Sequence, residues 1–310
     1  MKEYKSSSAY KNTRGSVVTI GTFDGVHLGH KALLKRLVDT AQKEDLDTVL
    51  LTFFPHPRMV LQKDSDLKLI NTLSEKKQLL KNIGLDHLVV QPFTKEFSRL
   101  TALEYVRDIL VNQLNAKKII IGYDHRFGRN RTADIENLRE YGLTYGFEVE
   151  EIGAQELNEV AVSSTKIRKA LEAGDITTAN NYLGYPFMLN GIVVEGKGIG
   201  RTLNFPTANI KVDTPHKLIP KKGVYLVQSK INAVSVYGLT SIGTNPTVGG
   251  TKTTIETYFM DVEANLYEQH LQLEFITHIR DEETFQSMEE LTKAIRDDEI
   301  FARDFLMDYE

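Results

Sequence analysis

The residues with the clearest chemical potential form the run Gly21-Thr22-Phe23-Asp24-Gly25-Val26-His27-Leu28-Gly29-His30 near the start of the chain. An apolar, strand-like run at 17–20 precedes them, and a helical pattern of leucines follows. A glycine-rich turn between a strand and a helix is a natural seat for phosphate, because unpaired N–H groups and the helix dipole attract an anion there. His27 and His30 would share one face of the first helical turn and could both donate to phosphate oxygens. The alternative is a glycine turn with two surface histidines.

Two further motifs of the first half also follow apolar, strand-like runs. His56 stands between two prolines, which fix the exit of the chain from a strand, and a purely structural role accounts for it equally well. The segment 122–128 places Asp124 beside a histidine and an arginine, directly after the apolar run 118–121. A charged cluster after a buried strand favours a functional site, with a solvated loop as the alternative.

A fourth motif marks a helix start with three hydroxyls and two basic side chains, at Ser163, Ser164, Thr165, Lys166 and Arg168. Capping of the helix explains one hydroxyl. A triphosphate would use the whole set, with hydroxyls and backbone N–H groups as donors and the two basic side chains as cations. The motif therefore favours nucleotide binding over capping alone.

The elements that must position these motifs alternate between two sequence periods. Short apolar strands are predicted at 16–20, 48–54, 87–90, 118–122 and 147–152, and helices near 29–44, 73–83, 101–114 and 133–145. Strands that alternate with helices indicate an α/β fold with a doubly wound parallel sheet. Ligands of such sheets bind beyond the carboxyl ends of the strands. All four motifs fall at such ends, so we expect them to converge on one cleft.

Beyond residue 184 the pattern changes to short strands rich in valine, isoleucine, tyrosine and threonine, predicted at 187–195, 223–229, 234–242, 254–262 and 271–279. Glycine and proline turns separate them, which indicates an antiparallel sheet or a small β-barrel. A terminal helix follows the capping box that starts at Ser287. We therefore predict two domains, residues 1–184 and residues 185–310.

Three features of the second half could also do chemistry. A flexible, cationic, glycine-rich loop could fold over phosphates, although a hairpin turn is equally compatible; its glycines and cations are Gly196, Lys197, Gly198 and Arg201. Thr207 and Asn209 offer two oxygen ligands suited to a hard cation that bridges ATP phosphates. Glu256 lies in a strand whose alternation predicts one buried and one open face, with a surface glutamate as the alternative.

The composition is that of an ordinary soluble globular protein, with 41% hydrophobic and 26% charged residues. A formal net charge of -4 argues against a dedicated nucleic-acid binder. The absence of cysteine excludes disulfides, thiolate metal sites and cysteine nucleophiles. The N-terminal residues are polar, and no apolar run approaches the length of a membrane span. We expect a cytoplasmic protein.

The ordered motifs G-x-F-D-G-x-H-x-G-H, T-F-x-P-H-P, G-x-D-x-x-F-G and S-S-T-x-I-R resemble the adenylyltransferase module of bifunctional riboflavin kinase/FAD synthetases, within the wider HxGH nucleotidyltransferase group. The second module of that family carries P-T-A-N, which stands here at Pro206-Thr207-Ala208-Asn209. The resemblance covers nearly the whole chain. It implies a Rossmann-like nucleotidyltransferase domain followed by a riboflavin kinase β-barrel. Riboflavin and ATP would give FMN, and FMN and ATP would then give FAD and pyrophosphate.

The resemblance also assigns roles to individual residues. His27 and His30 would be catalytic and hold the ATP phosphates while the α-phosphorus is five-coordinate, and Glu256 would be the general base of the kinase. Thr207 and Asn209 would hold Mg2+, which would serve both reactions. The remaining nucleotide contacts would come from Gly21, Thr22, Phe23, Asp24, Gly25, Asp124, Ser163, Ser164, Thr165, Arg168 and Asn209. The glycine-rich loop described above would add Gly196, Lys197, Gly198 and Arg201.

The chain departs from the family pattern at two positions. His125 stands where the family often has an aromatic residue, and Asn204 stands where glycine is usual. Because asparagine tolerates a left-handed backbone better than most residues, we expect Asn204 to keep the geometry of the turn.

The resemblance implies ATP as a co-substrate and riboflavin, FMN and FAD as substrates and products. We expect neither a nucleic-acid nor a membrane partner, and the sequence leaves the oligomeric state open. Two alternatives also stay open: a protein with only one active half, and a non-catalytic regulator that binds flavin or nucleotide. A protein that had lost its activity should have lost some of the four key residues, yet the chain retains His27, His30, Thr207 and Glu256.

Overall fold

The computed structural model describes residues 1–310 apart from 12, 63–65, 124, 154–161, 197, 248–249 and 310, and describes only the backbone of 199, 202, 245–247 and 250–252. Two predicted site residues, Asp124 and Lys197, therefore lie outside the described residues. The chain divides into two compact units, Met1–Ser164 and Thr165–Glu310. Within the described part of the chain, no helix is long and apolar enough to cross a membrane.

The first unit is built on a six-stranded parallel sheet. Its strands are β1 (Lys2–Tyr4), β2 (Ser16–Ile20), β3 (Asp47–Phe54), β4 (His87–Pro92), β5 (Ala116–Gly122) and β6 (Glu148–Ile152). The strand order is β1-β4-β3-β2-β5-β6, and every pairing is parallel. The order reverses at β2, so the crevice beyond its carboxyl end is the place where such sheets bind ligands. The predicted doubly wound sheet is confirmed, with β1 as an edge strand that the sequence did not indicate.

Helices cover both faces of this sheet because its strands are apolar on both sides. They are α1 (Leu28–Glu44), α2 (Pro57–Leu61), α3 (Leu73–Lys81), α4 (Ala102–Glu104), which continues as a π-helical stretch (Tyr105–Gln113), and α5 (Ile135–Tyr145). All five residues of β2 are buried. Val17 packs with Leu34 of α1 on one face, and Val18 packs with Ile119 on the other. This double burial fixes the strand that leads into the first motif.

The second unit is built on a closed six-stranded barrel. Its strands are β7 (Phe187–Val194), β8 (Thr207–Lys211), β9 (Gly223–Ile231), β10 (Val234–Thr247), β11 (Gly250–Phe259) and β12 (His270–Asp281). They are hydrogen-bonded in the closed order β10-β11-β8-β7-β12-β9, and each pairing is antiparallel. The predicted small barrel is confirmed. The sequence did not predict β8, because alanine, asparagine and lysine are weak strand formers.

Four helices accompany the barrel: α6 (Ser164–Ala173), α7 (Ile176–Leu183), α8 (Ile199–Thr202) and the predicted terminal helix, α9 (Met288–Tyr309). The carboxylate of Asp298 in α9 accepts two hydrogen bonds, of 2.8 and 2.9 Å, from the Arg280 guanidinium at the end of β12. Asn180 of α7 donates to the Phe275 carbonyl at 2.8 Å and accepts from the Phe187 N–H at 2.7 Å. Residues before 185 thus contact the barrel directly.

Candidate functional site

The loop between β2 and α1 has an unusual backbone. Phe23 and Val26 have positive φ angles of 46° and 37°, a region that residues with side chains rarely adopt and β-branched ones least of all. A Cβ at Gly21 would lie 2.8 Å from the Phe23 ring, so this position requires glycine. Backbone strain of this kind persists only where the surrounding contacts enforce it, and it clusters at functional sites.

Three side chains from other elements hold this loop through its carbonyl oxygens. Lys76 Nζ donates to the Thr22 carbonyl at 2.5 Å, and Thr52 Oγ1 donates to the same oxygen at 3.2 Å. Ser164 Oγ donates to the Asp24 carbonyl at 2.8 Å. Ser164, the last residue of the first unit, therefore contacts the first motif.

The Asp24 side chain points into the protein. It is 2% exposed, and its Oδ1 accepts hydrogen bonds from the backbone N–H groups of Ile70 at 3.0 Å and Asn71 at 3.3 Å. The sequence singled out Asp24 for close approach of its backbone to a nucleotide. In the structure its carboxylate ties the loop to the segment before α3, which positions that backbone.

The two histidines lie together at the N-terminus of α1, as their spacing predicted. Their rings stack with centroids 3.7 Å apart and planes 17° apart. His27 is the N-cap: its Nδ1 accepts the His30 backbone N–H at 3.4 Å. The neutral His27 ring therefore carries its proton on Nε2. The buried His30 Nδ1 has no hydrogen-bond partner among the described residues.

Burial controls the charge of this pair. It lowers the pKa of His27 to about 4, although the nearby Asp24 carboxylate opposes the shift. Burial also holds the pKa of His30 well below its usual range, helped by His27 and by the positive charge of Lys76. Both rings are neutral at pH 7. They can bind phosphate as N–H donors and not as cations.

The other predicted residues of the first half differ in their contacts and exposure. His56 Nδ1 accepts the Arg58 backbone N–H at 3.2 Å and caps α2, which is the structural alternative for this residue. Ser163 is exposed at the start of α6. Thr165 and Arg168 lie on the first turns of that helix, in the second unit.

An aromatic cluster at the ends of β3 and β4 was not singled out from the sequence. The rings of Phe53 and Phe93 are 5.7 Å apart, as are those of Phe93 and Phe97, and Phe97 lies 6.1 Å from Tyr105. Tyr105 in turn lies 5.9 Å from Phe127, which follows β5. In a sequence such residues are indistinguishable from core. Phe53, Phe93 and Phe97 are only partly buried here, so they could stack on a planar ligand.

In the second unit, β8 and β11 bring three predicted residues together. Asn209 is paired with Glu256 in the register of these strands, and Thr207 Oγ1 donates to Glu256 Oε2 at 3.3 Å. The predicted alternation of β11 is confirmed, because Ile255 and Thr257 are buried while Glu256 is partly exposed. Since Thr207 uses its proton on the carboxylate, its oxygen lone pairs remain available to a cation.

The glycine-rich loop packs against this group. A Cβ at Gly196 would lie 2.1 Å from Asn209 Nδ2, so a larger residue would displace the amide. Asn204 has a φ of 64°, the left-handed conformation expected for it. A small cleft brings the predicted residues together with one aromatic side chain that the sequence did not indicate, Tyr267; its lining is Gly196, Gly198, Arg201, Pro206, Thr207, Asn209 and Tyr267.

The donor set of this cleft fits magnesium. The described residues contain no group of three or more histidine, aspartate or glutamate side chains that could hold a metal ion. Mg2+ is commonly bound by one or two protein oxygens together with substrate phosphates and water, so it does not need such a group. Thr207 and Asn209 line the cleft and offer a hydroxyl and an amide oxygen, and Glu256, which Thr207 contacts, adds a carboxylate. All three are hard oxygen ligands.

Comparisons with known proteins agree with the two-part architecture. Residues 9–166 match the family model described as FAD synthetase, and residues 183–306 match the one described as riboflavin kinase. The bifunctional riboflavin kinase/FMN adenylyltransferase of Escherichia coli is 37% identical, over 94% of this chain and 93% of its own. The protein of that name from Listeria monocytogenes is 35% identical, over 93% of this chain and 92% of its own.

A solved structure shows the same fold over nearly the whole length. It is a crystal structure described as that of a macrolide-efflux protein from Streptococcus pneumoniae, with a TM-score of 0.89 and 30% identity, and it covers 97% of this chain and 98% of that one. The resemblance inferred from the ordered motifs is confirmed.

Proposed function

Because the chain belongs to the family of bifunctional riboflavin kinase/FMN adenylyltransferases, we propose that it makes FAD from riboflavin in two steps, one in each compact unit. The second unit transfers the γ-phosphoryl group of ATP to riboflavin and releases ADP. The first unit transfers the adenylyl group of another ATP to FMN and releases pyrophosphate. The observation that carries this assignment is that each unit holds its own donor set, the stacked His27–His30 pair in one and the Thr207–Glu256 contact in the other.

The kinase step needs a base, and Glu256 is the proposed one. The primary alcohol of riboflavin is protonated at pH 7, whereas a bond from its oxygen to the γ-phosphorus requires loss of that proton. The Glu256 carboxylate takes the proton as the new O–P bond forms and the bond from the γ-phosphorus to the β-phosphate oxygen breaks. The hydrogen bond from Thr207 orients the carboxylate.

ATP of the kinase step is proposed to lie in the small cleft of the second unit. Arg201 would neutralise phosphate charge, and Gly196 and Gly198 would let the backbone approach the phosphates. Lys197 belongs to the same loop. Thr207 and the Asn209 amide oxygen would hold Mg2+, which supplies charge neutralisation on the ATP phosphates when bound.

The adenylyl transfer needs no protein base. The FMN phosphate is a monoester and is largely doubly ionised at pH 7, so it can attack the α-phosphorus directly. Catalysis then consists of positioning and stabilisation of the charge that builds on the α-phosphate. His27 Nε2–H and the His30 ring are the proposed donors to that charge. The strained backbone from Gly21 to Gly25 brings ATP close to them.

The other contacts of the adenylyl transfer are assigned by position in the chain. Ser163 and Ser164, at the end of the first unit, are the proposed contacts of the β- and γ-phosphates of ATP. Thr165 and Arg168, which the resemblance also implied, belong to the second unit, and their role stays a prediction. Asp124 would lie near the phosphates or the Mg2+ of this reaction. The partly buried rings of Phe53, Phe93 and Phe97 are the proposed surface for the flavin ring of FMN. A cytoplasmic location and a domain boundary at residue 184 stay predictions.

Separate measurement of the two half-reactions tests the assignment. We expect Glu256→Gln to abolish formation of FMN from riboflavin, because the amide cannot accept the alcohol proton. FAD formation from supplied FMN should persist. Glu263→Gln removes an exposed carboxylate from the same unit and should leave both reactions unchanged. Normal kinase activity in Glu256→Gln would remove Glu256 from the mechanism.

A further inference from the structure

Lys76 is a buried cation that the mechanism above does not use. It lies in α3, one turn before the fully buried Leu80, and is itself only 7% exposed. The face of a helix that packs on a sheet is normally apolar, because removing an ammonium group from water is unfavourable. A lysine at this position needs a reason beyond packing.

The contacts of Lys76 do not compensate for its burial. Among the described residues its Nζ has one hydrogen-bond acceptor, the Thr22 carbonyl, although an ammonium group has three N–H bonds to donate. None of the carboxylates described lies within ion-pair distance of it. Burial accordingly lowers the pKa of Lys76 to about 8, with Asp24 opposing the shift. Lys76 is therefore a buried positive charge with few protein contacts to offset it.

Lys76 has charged or titratable neighbours on the loop, on α1 and on its own helix. From the loop it faces Asp24, whose carboxylate is already engaged by two backbone N–H groups. From α1 it faces His30, and its own charge lowers the pKa of that ring. On its own helix, Glu75 is fully buried and its carboxylate accepts the Thr72 backbone N–H at 2.8 Å. Asp24 and Glu75 are acids, and both histidines are neutral at pH 7. Among these neighbouring groups, Lys76 is therefore the one that places a positive charge beside the strained loop.

We propose that Lys76 is a positioning residue of the FMN adenylyl transfer. Its ammonium group fixes the Thr22 carbonyl, and with it the strained loop, and provides a buried positive charge that attracts the ATP phosphates. The same charge adds to the burial that keeps the His30 ring neutral, so that the ring acts as an N–H donor. The neutral histidines thus donate directed hydrogen bonds to the phosphate, and the lysine supplies the positive charge.

The expected size of the effect follows from the type of bond lost. A hydrogen bond from a charged donor contributes about 1.5–3 kcal/mol, which corresponds to roughly 10- to 150-fold. Lys76→Met keeps the length of the side chain without its charge. We expect it to lower kcat/KM for ATP in FAD formation by that factor. Lys76→Arg keeps the charge and should retain more activity. Lys81→Met removes an exposed charge from the same helix and serves as the matched control.

A pH series separates charge from mere support of the fold. In the unaltered protein, kcat/KM for ATP in FAD formation should fall as the pH rises above about 8, because the Lys76 ammonium loses its proton there. In Lys76→Arg this fall should be absent, since guanidinium stays charged. Riboflavin phosphorylation by the same samples corrects for changes in ATP and Mg2+ ionisation. If Lys76→Met does not fold, the pH dependence of the unaltered protein compared with that of Lys76→Arg still tests the role of the charge.

Two results would overturn the inference: a Lys76→Met protein within twofold of the unaltered protein at every pH, or the same alkaline fall in Lys76→Arg. The inference rests on the proposed function, and the two failures are distinguishable. If the unaltered protein makes no FAD from FMN, the proposed function fails and this inference falls with it. If it makes FAD and the Lys76 variants match it, the inference alone is wrong.

Discussion

Replacement of His30 tests the donor role assigned to the stacked pair. His30→Ala removes a partly buried ring whose centroid lies 3.7 Å from that of His27 and 4.7 Å from that of Phe23, and it removes an N–H donor from the loop. Loss of one preorganised donor typically lowers turnover on the order of 100-fold or more. The loss should appear mainly in kcat, because the donor acts on charge that builds in the transition state. The two lost ring contacts should also destabilise the first unit by about 0.5–1.5 kcal/mol each.

The assay for His30→Ala is FAD formation from supplied FMN and ATP, with riboflavin phosphorylation by the same sample as the internal control. Because the second unit contains no part of this histidine pair, FMN formation should be unchanged. His270→Ala removes an exposed imidazole and should affect neither reaction. A His30→Ala protein that retained kcat for FAD formation within about threefold would refute the donor role. The first unit would then bind phosphate at this loop and do its chemistry elsewhere.

Three further predictions follow from the geometry. Gly196→Ala should lower riboflavin phosphorylation on the order of 100-fold, because the new Cβ displaces the Asn209 amide, while FAD formation from FMN stays normal. Kinase activity equal to that of the unaltered protein would contradict a functional role for the close approach of Gly196 to Asn209. The pKa of His27 is about 4 in the folded protein against 6.5 ordinarily, so its contribution to stability is complete above pH 6.5 and is lost by up to about 3 kcal/mol as the pH falls from 6.5 to 4. Urea unfolding at pH 7.5 and 4.5 should show a larger loss of stability in the unaltered protein than in His27→Gln, which retains the loss that comes from the lowered pKa of His30. Residues 185–310 and 165–310 should both phosphorylate riboflavin, and the longer fragment should have the higher Tm because it keeps the Asn180 contacts with the barrel.

Local sequence determined the parts of the site that depend on neighbouring residues. The glycines and histidines of the loop 21–30 are close in sequence. Together with the apolar run before them and the helical pattern of leucines after them, they predicted a strand, a turn and a helix N-terminus. Local sequence did not predict the pairing of Glu256 with Asn209. It depends on β8, whose residues are weak strand formers and gain their strand conformation from the two strands beside them.

The other parts of the site depend on contacts between residues far apart in the sequence, so they could not be predicted from local sequence. Lys76 donates to Thr22, which is 54 residues away, and nothing local distinguishes it from a surface lysine whose aliphatic part covers the core. Its one sequence signal is its place one turn before Leu80, on the apolar face of α3. The Asp24 carboxylate likewise finds its partners at Ile70 and Asn71, through the packing of the loop on a distant segment.

The central claim is that one chain holds two independent active sites that act in sequence. Mixing two inactivated proteins tests it most directly. Glu256→Gln given riboflavin, ATP and Mg2+ should make neither FMN nor FAD, and His30→Ala should accumulate FMN with little FAD. An equimolar mixture of the two should convert riboflavin to FAD, as resolved by chromatography of the flavins, because each protein supplies the site that the other lacks. A mixture that still accumulates FMN without FAD, or makes no FMN at all, would contradict the account.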